Sequence, residues 1–212
     1  MSDLERRSYT CEVRAEDTEA GNILVGRPIV YNSRTDIGGM FAEVIESGAL
    51  DDADLTDVRF LVNHDTSKIP LARSRRNNGN STMQLSPDLE GMTIRVSLDT
   101  DNNAEAKSLY SAIQRGDISG MSFMFSVDSE EWTDLESDYP TRHIKKIGNV
   151  VEVSAVTFPA YEATSIYTRG KEALDNARSA LDSARRLSEQ SVDTDLELQK
   201  LKTITLTGGK TR

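Results

Sequence analysis

Apolar and polar residues alternate over short stretches in the first half of the chain. Each stretch is rich in β-branched or aromatic residues and is bounded by turn-forming Gly, Asn, Asp or Ser, which is the pattern of a short β-strand. The predicted strands are CEVRAE, ILVGRPIVYNS, MFAEVIESGAL, VRFLVNHD, TMQLSPD and GMTIRVSLD. The chain therefore begins as β structure, and His64 falls at the end of one of these strands.

One helix interrupts the β pattern, in the segment NNAEAKSLYSAIQRG. Asp101 or Asn102 can cap its start, and Gly116 is suited to follow its end. Residues at the spacing of a buried helix face are Ala106, Leu109, Tyr110 and Ile113. Strands return at MSFMFSVD and near HIKKIG and NVVEVSAVTF. The pattern thus predicts a mainly β protein with helices, of the α+β class.

The character of the chain changes after Pro159 and Tyr161. The segment GKEALDNARSALDSARRLSEQ places apolar residues at alternating spacings of three and four, which predicts a helix with a narrow apolar stripe. The residues that follow it are polar and weakly patterned. We therefore predict one domain over residues 1–168 and a helical, partly flexible tail over residues 169–212.

Composition narrows the classes of function. The chain has 212 residues and a formal net charge of -10, which repels nucleic-acid phosphates. No apolar run approaches the roughly 20 residues that span a bilayer, and the N-terminus lacks the apolar segment of a signal peptide. Cys11 is the single cysteine, which excludes an internal disulfide and a zinc site built on several thiolates. We expect a soluble, cytoplasmic protein that binds neither nucleic acid nor membrane.

Three residue types suited to nucleophilic catalysis occur in predicted strands. Ser122 lies near the start of the strand MSFMFSVD, and His64 lies near the end of VRFLVNHD. Glu152 lies among valines, where a carboxylate needs a partner unless it faces solvent at an edge. Each also has a structural interpretation: a small residue near a turn, a hydrogen-bonded histidine at a strand end, and an exposed edge glutamate. The other histidine, His143, lies in the polar stretch DYPTRHIKK, as a solvated histidine would. Sequence spacing alone does not bring these residues together.

Four blocks of sequence resemble the prohead maturation proteases of tailed bacteriophages, which are similar in fold and mechanism to the assemblin proteases of herpesviruses. The blocks span roughly Gly26 to Ser165 and occur in the expected order. They are GRPIVYNS with FAEVIESGAL, VRFLVNHDTSKIPLARS, LYSAIQRGDISGMSFMFSV, and VEVSAVTFPAYEATS. The resemblance implies an assemblin-like closed β-barrel surrounded by helices.

The resemblance also implies roles for the candidate residues. His64 would be the general base, Ser122 the nucleophile and Glu152 the orienting carboxylate, with no metal or organic cofactor. The assemblin relatives use a second histidine as the third member, and only His143 could take that part here. The chain departs from the usual pattern at three positions, which are Met124, Ala72 and Glu162. The first two can alter the substrate groove or the backbone donors to an oxyanion, so we assign no residues to an oxyanion hole.

The function implied is a serine endopeptidase of capsid maturation in the host cytoplasm. Its partners would be the major capsid protein with its scaffolding segment, or a separate scaffold, and the protease itself, all cut inside the procapsid. Homo-oligomer formation is left open. The tail would recruit the enzyme and then be removed by self-cleavage, or it would cap the barrel. Two rival interpretations are a non-catalytic assembly or scaffolding protein that retains the fold, and a β domain that binds an unrelated partner.

Overall fold

A computed structural model describes residues 4–10, 13–18, 21–76, 80–157 and 171–207. Cys11, the departure at Glu162 and the predicted domain boundary near Arg169 lie outside these ranges. The described strands and helices, in chain order, are β1 Leu4–Thr10, β2 Val13–Thr18, β3 Gly21–Val30, β4 Thr35–Ile37, β5 Phe41–Ile45, β6 Asp57–Val62, β7 Ala72–Arg75, β8 Met83–Asp88, β9 Gly91–Leu98, α1 Ala104–Gln114, β10 Gly120–Thr133, β11 Thr141–Val156 and α2 Lys171–Thr207. The predicted α+β class is confirmed.

The described strands form two sheets. The larger sheet has seven strands in which β1, β10, β11, β5 and β4 are successive neighbours, while β6 pairs with β11 and β7. The smaller sheet has the order β2-β3-β9-β8. Apolar side chains from both sheets and from α1 form one core, which includes Leu24, Phe60, Ile94 and Phe123.

The long strand β11 organises the larger sheet. The antiparallel strand β10 pairs with β11 along its length, through several register shifts. On its other side β11 has two parallel neighbours: β5 pairs with its first residues and β6 with its last. The two strands predicted near HIKKIG and NVVEVSAVTF are therefore one continuous strand. This arrangement brings the end of β6 beside the end of β11.

Among the described strands, the pairing does not form the closed barrel that the resemblance implied. Between β7 and β8 the sheets meet through side chains, since the Arg73 amide donates to Thr82 Oγ1 and the Arg75 amide donates to Ser81 Oγ. Hydroxyl groups there take the place of a backbone ladder, so the larger sheet ends at β7 and the smaller sheet ends at β8.

Helix α1 has the predicted face but a different cap. Ala106, Leu109, Tyr110 and Ile113 are all buried, which confirms the periodicity. The N-cap is Asn103, whose side chain accepts from the amides of Glu105 and Ala106, so the prediction of Asp101 or Asn102 was wrong by one or two positions.

Helix α2 packs on the larger sheet through its first turns. Ala177 and Leu181 from the predicted stripe are buried with Phe41, beside Trp132. The Arg185 guanidinium also donates to the main-chain carbonyl of Ser137. The helix is longer than its stripe and continues to Thr207 through the weakly patterned residues.

Strand β1 was not predicted because its buried positions are charged. Arg7 and Glu5 are 5% and 8% exposed, and they join Glu43 of β5 and Arg142 of β11 in a buried ionic cluster. Arg142 donates two hydrogen bonds of 2.7 Å to Glu5. Burial alone would raise the pKa of Glu5, but these bonds and the charges of Arg7 and Arg142 outweigh it and lower the pKa. A buried carboxylate beside two permanent cations stays charged.

Candidate active site

The turn after β6 positions His64. Asn63 and His64 both adopt the left-handed conformation, with φ of 52° and 58°, which asparagine tolerates better than most residues. The Asn63 amide donates to the Ala155 carbonyl at 2.9 Å, and its side-chain oxygen accepts from the Thr157 amide at 3.0 Å. The turn is thereby bound to the end of β11, and the His64 imidazole is held beside that strand.

The register of three strands places the other candidates beside this turn. Ser122 of β10 is directly opposite Ser154 of β11, and β6 pairs in parallel with β11 from Glu152 to Ala155. Residues two apart on a strand share a face. Glu152 and Ser154 therefore lie on the same face of the sheet as Ser122, close to the end of β6.

The structure brings His64, Ser122 and Glu152 into direct contact. The Nδ1 atom of His64 is 2.5 Å from Glu152 Oε2, and its Nε2 atom is 2.6 Å from Ser122 Oγ. Because a carboxylate only accepts, Nδ1 carries the proton in this pair, and Nε2 can then accept one from serine. Residue Glu152 as a whole is 3% exposed, and His64 is the partner that a buried carboxylate at this position requires.

Ser154 is a member of this group that the sequence analysis missed. Its hydroxyl accepts from the His64 backbone amide at 3.0 Å and donates to Glu152 Oε1 in a short hydrogen bond. The residue is fully buried. Its position two residues after Glu152 in a predicted strand was the available signal, since it places both side chains on one face.

The hydroxyl of Ser122 has a second acceptor. It lies 2.8 Å from the main-chain carbonyl of Arg7 in β1, and Ser122 is fully buried. A hydroxyl has one proton, so Ser122 can donate to this carbonyl or to His64 Nε2, but not to both. Attack on a substrate therefore requires the proton to point to His64 and the serine to become accessible.

His143, the alternative third member, lies elsewhere on β11. Its Nδ1 atom contacts Glu46 at 3.0 Å and its Nε2 atom contacts Thr133 at 3.3 Å. Glu152 follows His143 by nine residues on the same strand, which corresponds to about 30 Å at about 3.3 Å per residue. The two histidines thus belong to separate sites.

Two of the departures from the family pattern fall on described residues. Met124 is paired with Glu152 across the β10–β11 ladder and is 8% exposed. Ala72 is buried at the start of β7, opposite Phe60. Neither contacts the Ser122 hydroxyl through a described hydrogen bond, and neither identifies an oxyanion hole.

The described residues also bear on metal binding and on membrane crossing. Among the described residues, no group of three or more His, Cys, Asp or Glu side chains is placed to hold a metal ion. In the same part of the chain, no helix combines the length and apolarity required to cross a bilayer.

Comparisons with known proteins agree with the resemblance seen in the sequence. Residues 9–178 match the family described as caudovirus prohead serine protease. The chain is 32% identical over 148 residues to the prohead protease of Enterobacteria phage HK97, a match that covers 68% of this chain and 58% of that protein. Among solved structures, the capsid assembly protease of bacteriophage T4 aligns with a TM-score of 0.44 and 14% identity, over 73% of this chain and 97% of the T4 chain.

Proposed function

The chain belongs to the caudovirus prohead serine protease family, and we propose that it is a serine endopeptidase that cleaves capsid proteins during phage maturation. The observation that carries the proposal is the pair of contacts made by His64, to Glu152 through Nδ1 and to Ser122 through Nε2. This is the connectivity by which a serine hydroxyl becomes a nucleophile.

The first half-reaction forms an acyl-enzyme. The Ser122 proton moves to His64 Nε2 as Oγ attacks the carbonyl carbon of the scissile peptide. Glu152 holds Nδ1–H and stabilises the imidazolium that forms. When the tetrahedral intermediate collapses, the imidazolium gives its proton to the leaving amine, the C–N bond breaks, and an ester to Ser122 remains.

The second half-reaction releases the enzyme. Water attacks the ester carbonyl and passes a proton to His64 Nε2. The proton then returns to Ser122 Oγ as the ester C–O bond breaks, so enzyme and carboxylic acid product are formed. The proposed reaction uses the side chains of Ser122, His64 and Glu152 together with water.

The substrates we propose are the scaffolding portion of the major capsid protein, or a separate scaffold, and the protease itself, inside a procapsid in the host cytoplasm. The chain spans 58% of the length of the HK97 prohead protease. Confinement in a shell raises the effective concentration of enzyme and substrate. We propose that the segment 169–212 recruits the enzyme and is then removed.

One observation favours a second candidate, a non-catalytic assembly protein that retains the fold. Ser122 is fully buried and has the Arg7 carbonyl as an alternative acceptor. Such a protein would leave capsid proteins uncut in assembled shells.

The test is intact-mass spectrometry after co-expression with the cognate major capsid protein. The wild-type chain is expected to yield shortened capsid protein and a shortened protease, whereas Ser122→Ala leaves both at full length. Ser126→Ala is the matched control, because Ser126 is a buried serine on the same face of β10 that bonds only Asn149 among the described contacts.

Two results would contradict the proposal. Full-length proteins in correctly assembled wild-type shells would favour the assembly protein. Equal cleavage by wild type and Ser122→Ala would exclude Ser122 as the nucleophile.

A further inference from the structure

We propose that Ser154 is a positioning residue that fixes both the histidine and the carboxylate of the catalytic group. The inference rests on the proposed serine protease function. Ser154 takes no part in the bond changes of the proposed mechanism. It acts through His64 and Glu152.

The hydrogen bonds of Ser154 close a ring. The His64 backbone amide donates to Ser154 Oγ at 3.0 Å, and Ser154 Oγ donates to Glu152 Oε1. The other carboxylate oxygen, Oε2, contacts Nδ1 of the same histidine at 2.5 Å. The side chain of His64 therefore contacts the Glu152 carboxylate directly. Its main chain is connected to the same carboxylate through the Ser154 hydroxyl.

The direction of each bond in the ring is determined by chemistry. A backbone amide can only donate and an ionised carboxylate can only accept. The single hydroxyl proton of Ser154 must then point to Glu152, while an oxygen lone pair receives the His64 amide. An alanine at this position would leave both neighbours without that partner.

The surroundings explain why a fixed hydroxyl matters here. His64 has a φ of 58°, in a region that β-carbon-bearing residues rarely adopt, so its backbone needs contacts that hold it. Ser154 and Glu152 are 0% and 3% exposed, so no bulk water replaces a lost bond. Rotation of the carboxylate or the turn would displace Nε2 from Ser122 Oγ, and a displacement of about 1 Å can cost about 100-fold in rate.

The register supports the same role. Ser154 lies on β11 directly opposite Ser122 of β10 and beside Leu61 of β6. It is thus between the strand that carries the nucleophile and the strand that leads to the histidine.

The experiment measures the reactivity of Ser122 towards a fluorophosphonate, which reports the nucleophile without a known peptide substrate. We expect Ser154→Ala to lower the maximal labelling rate about 10- to 100-fold with little change in the reagent concentration at half-maximal rate. Ser154→Thr keeps the hydroxyl and should restore most of the rate. Ser154→Cys replaces the hydroxyl with a somewhat larger thiol that forms weaker hydrogen bonds, and it should be intermediate. Ser126→Ala should label as wild type does.

A second readout is independent of activity. The Nδ1–H proton of His64 is expected as a downfield resonance in ¹⁵N-histidine-labelled protein, and His143→Gln identifies it, since the chain has two histidines. The resonance should move in Ser154→Ala and remain in Ser154→Thr. Labelling at the wild-type rate with an unmoved resonance in the Ala or Cys variant would overturn the role of Ser154.

The two proposals fail in distinguishable ways. If wild type and Ser122→Ala are equally unreactive and no protein is cut, the proposed function fails, while the resonance still tests the contact between Ser154 and the His64–Glu152 pair. Labelling of Ser154→Ala at the rate of Ser154→Thr, with both at the wild-type rate, would also overturn the inference, because removal of the hydroxyl would then have no effect.

Discussion

Each of the two histidines in the chain lies between a carboxylate and a hydroxyl. His64 contacts Glu152 through Nδ1 and Ser122 through Nε2, at 2.5 and 2.6 Å. His143 contacts Glu46 through Nδ1 and Thr133 through Nε2, at 3.0 and 3.3 Å. The connectivity is the same, so residue types and atom pairing alone do not distinguish the proposed catalytic group from a surface group.

Burial and the number of fixed contacts separate the two groups. The side chains of His64 and Glu152 are 15% and 4% exposed, whereas those of His143 and Glu46 are 26% and 32% exposed. Glu152 has its second oxygen bound by the buried Ser154, while Glu46 shares its second oxygen with Lys145, a lysine that also contacts Glu131. The first group is held in one geometry, and the second is a solvated set of surface charges.

The largest difference is expected when each carboxylate is replaced by its amide. Glu152→Gln should reduce fluorophosphonate labelling of Ser122 by up to about 10⁴-fold, because the amide favours the wrong tautomer of His64 and does not stabilise the imidazolium. Glu46→Gln is the matched variant and should label within about twofold of wild type, since it changes a separate surface site. Comparable loss in both variants would contradict the assignment of Glu152 as the third member.

A smaller difference is expected in stability when each histidine is removed. His64→Ala leaves the Glu152 carboxylate buried without one of its donors and should lower the free energy of unfolding by about 1–3 kcal/mol. His143→Ala leaves the Glu46 carboxylate in contact with Lys145 and water. It should change the free energy of unfolding by no more than about 0.5 kcal/mol. Urea unfolding at neutral pH measures both variants. Similar losses would show that the difference in burial has no energetic consequence.

Sequence patterns predicted the elements better than the contacts between them. The face of α1 followed from its period, because Ala106, Leu109, Tyr110 and Ile113 needed only a helix to be buried together. Strand β1 was missed because its buried residues include Glu5 and Arg7, whose partners Glu43 and Arg142 are distant in sequence. The pattern of hydrophobic residues in a segment does not indicate a buried charged residue whose partner lies in a distant segment of the chain.

The candidate site shows the same limit. His64 and Glu152 were candidate residues because the histidine lies near a strand end and the carboxylate lies among valines. Their meeting depends on β6 pairing in parallel with the last residues of β11 and on the left-handed turn at Asn63 and His64. Those are tertiary features without a local sequence period, and the family resemblance supplied the grouping that spacing could not. The spacing of two residues places Ser154 on the same strand face as Glu152, but the spacing does not specify its contacts with the His64 amide and the Glu152 carboxylate.

The smallest effect concerns the titration of Glu46. Its pKa is lowered, first by the hydrogen bond from Lys145 and only to a lesser extent by His143. A lowered carboxylate pKa contributes stability above the unfolded-state value, near the ordinary 4.5, and loses it as pH falls through the folded-state pKa. Lys145→Met should therefore move the pKa of Glu46 back towards 4.5 more than His143→Gln does, as measured by NMR titration of the side-chain carboxyl carbon. A larger shift in His143→Gln would mean that Glu46 is coupled chiefly to the imidazole, as in a catalytic group, and the distinction between the two histidine sites would then rest on burial alone.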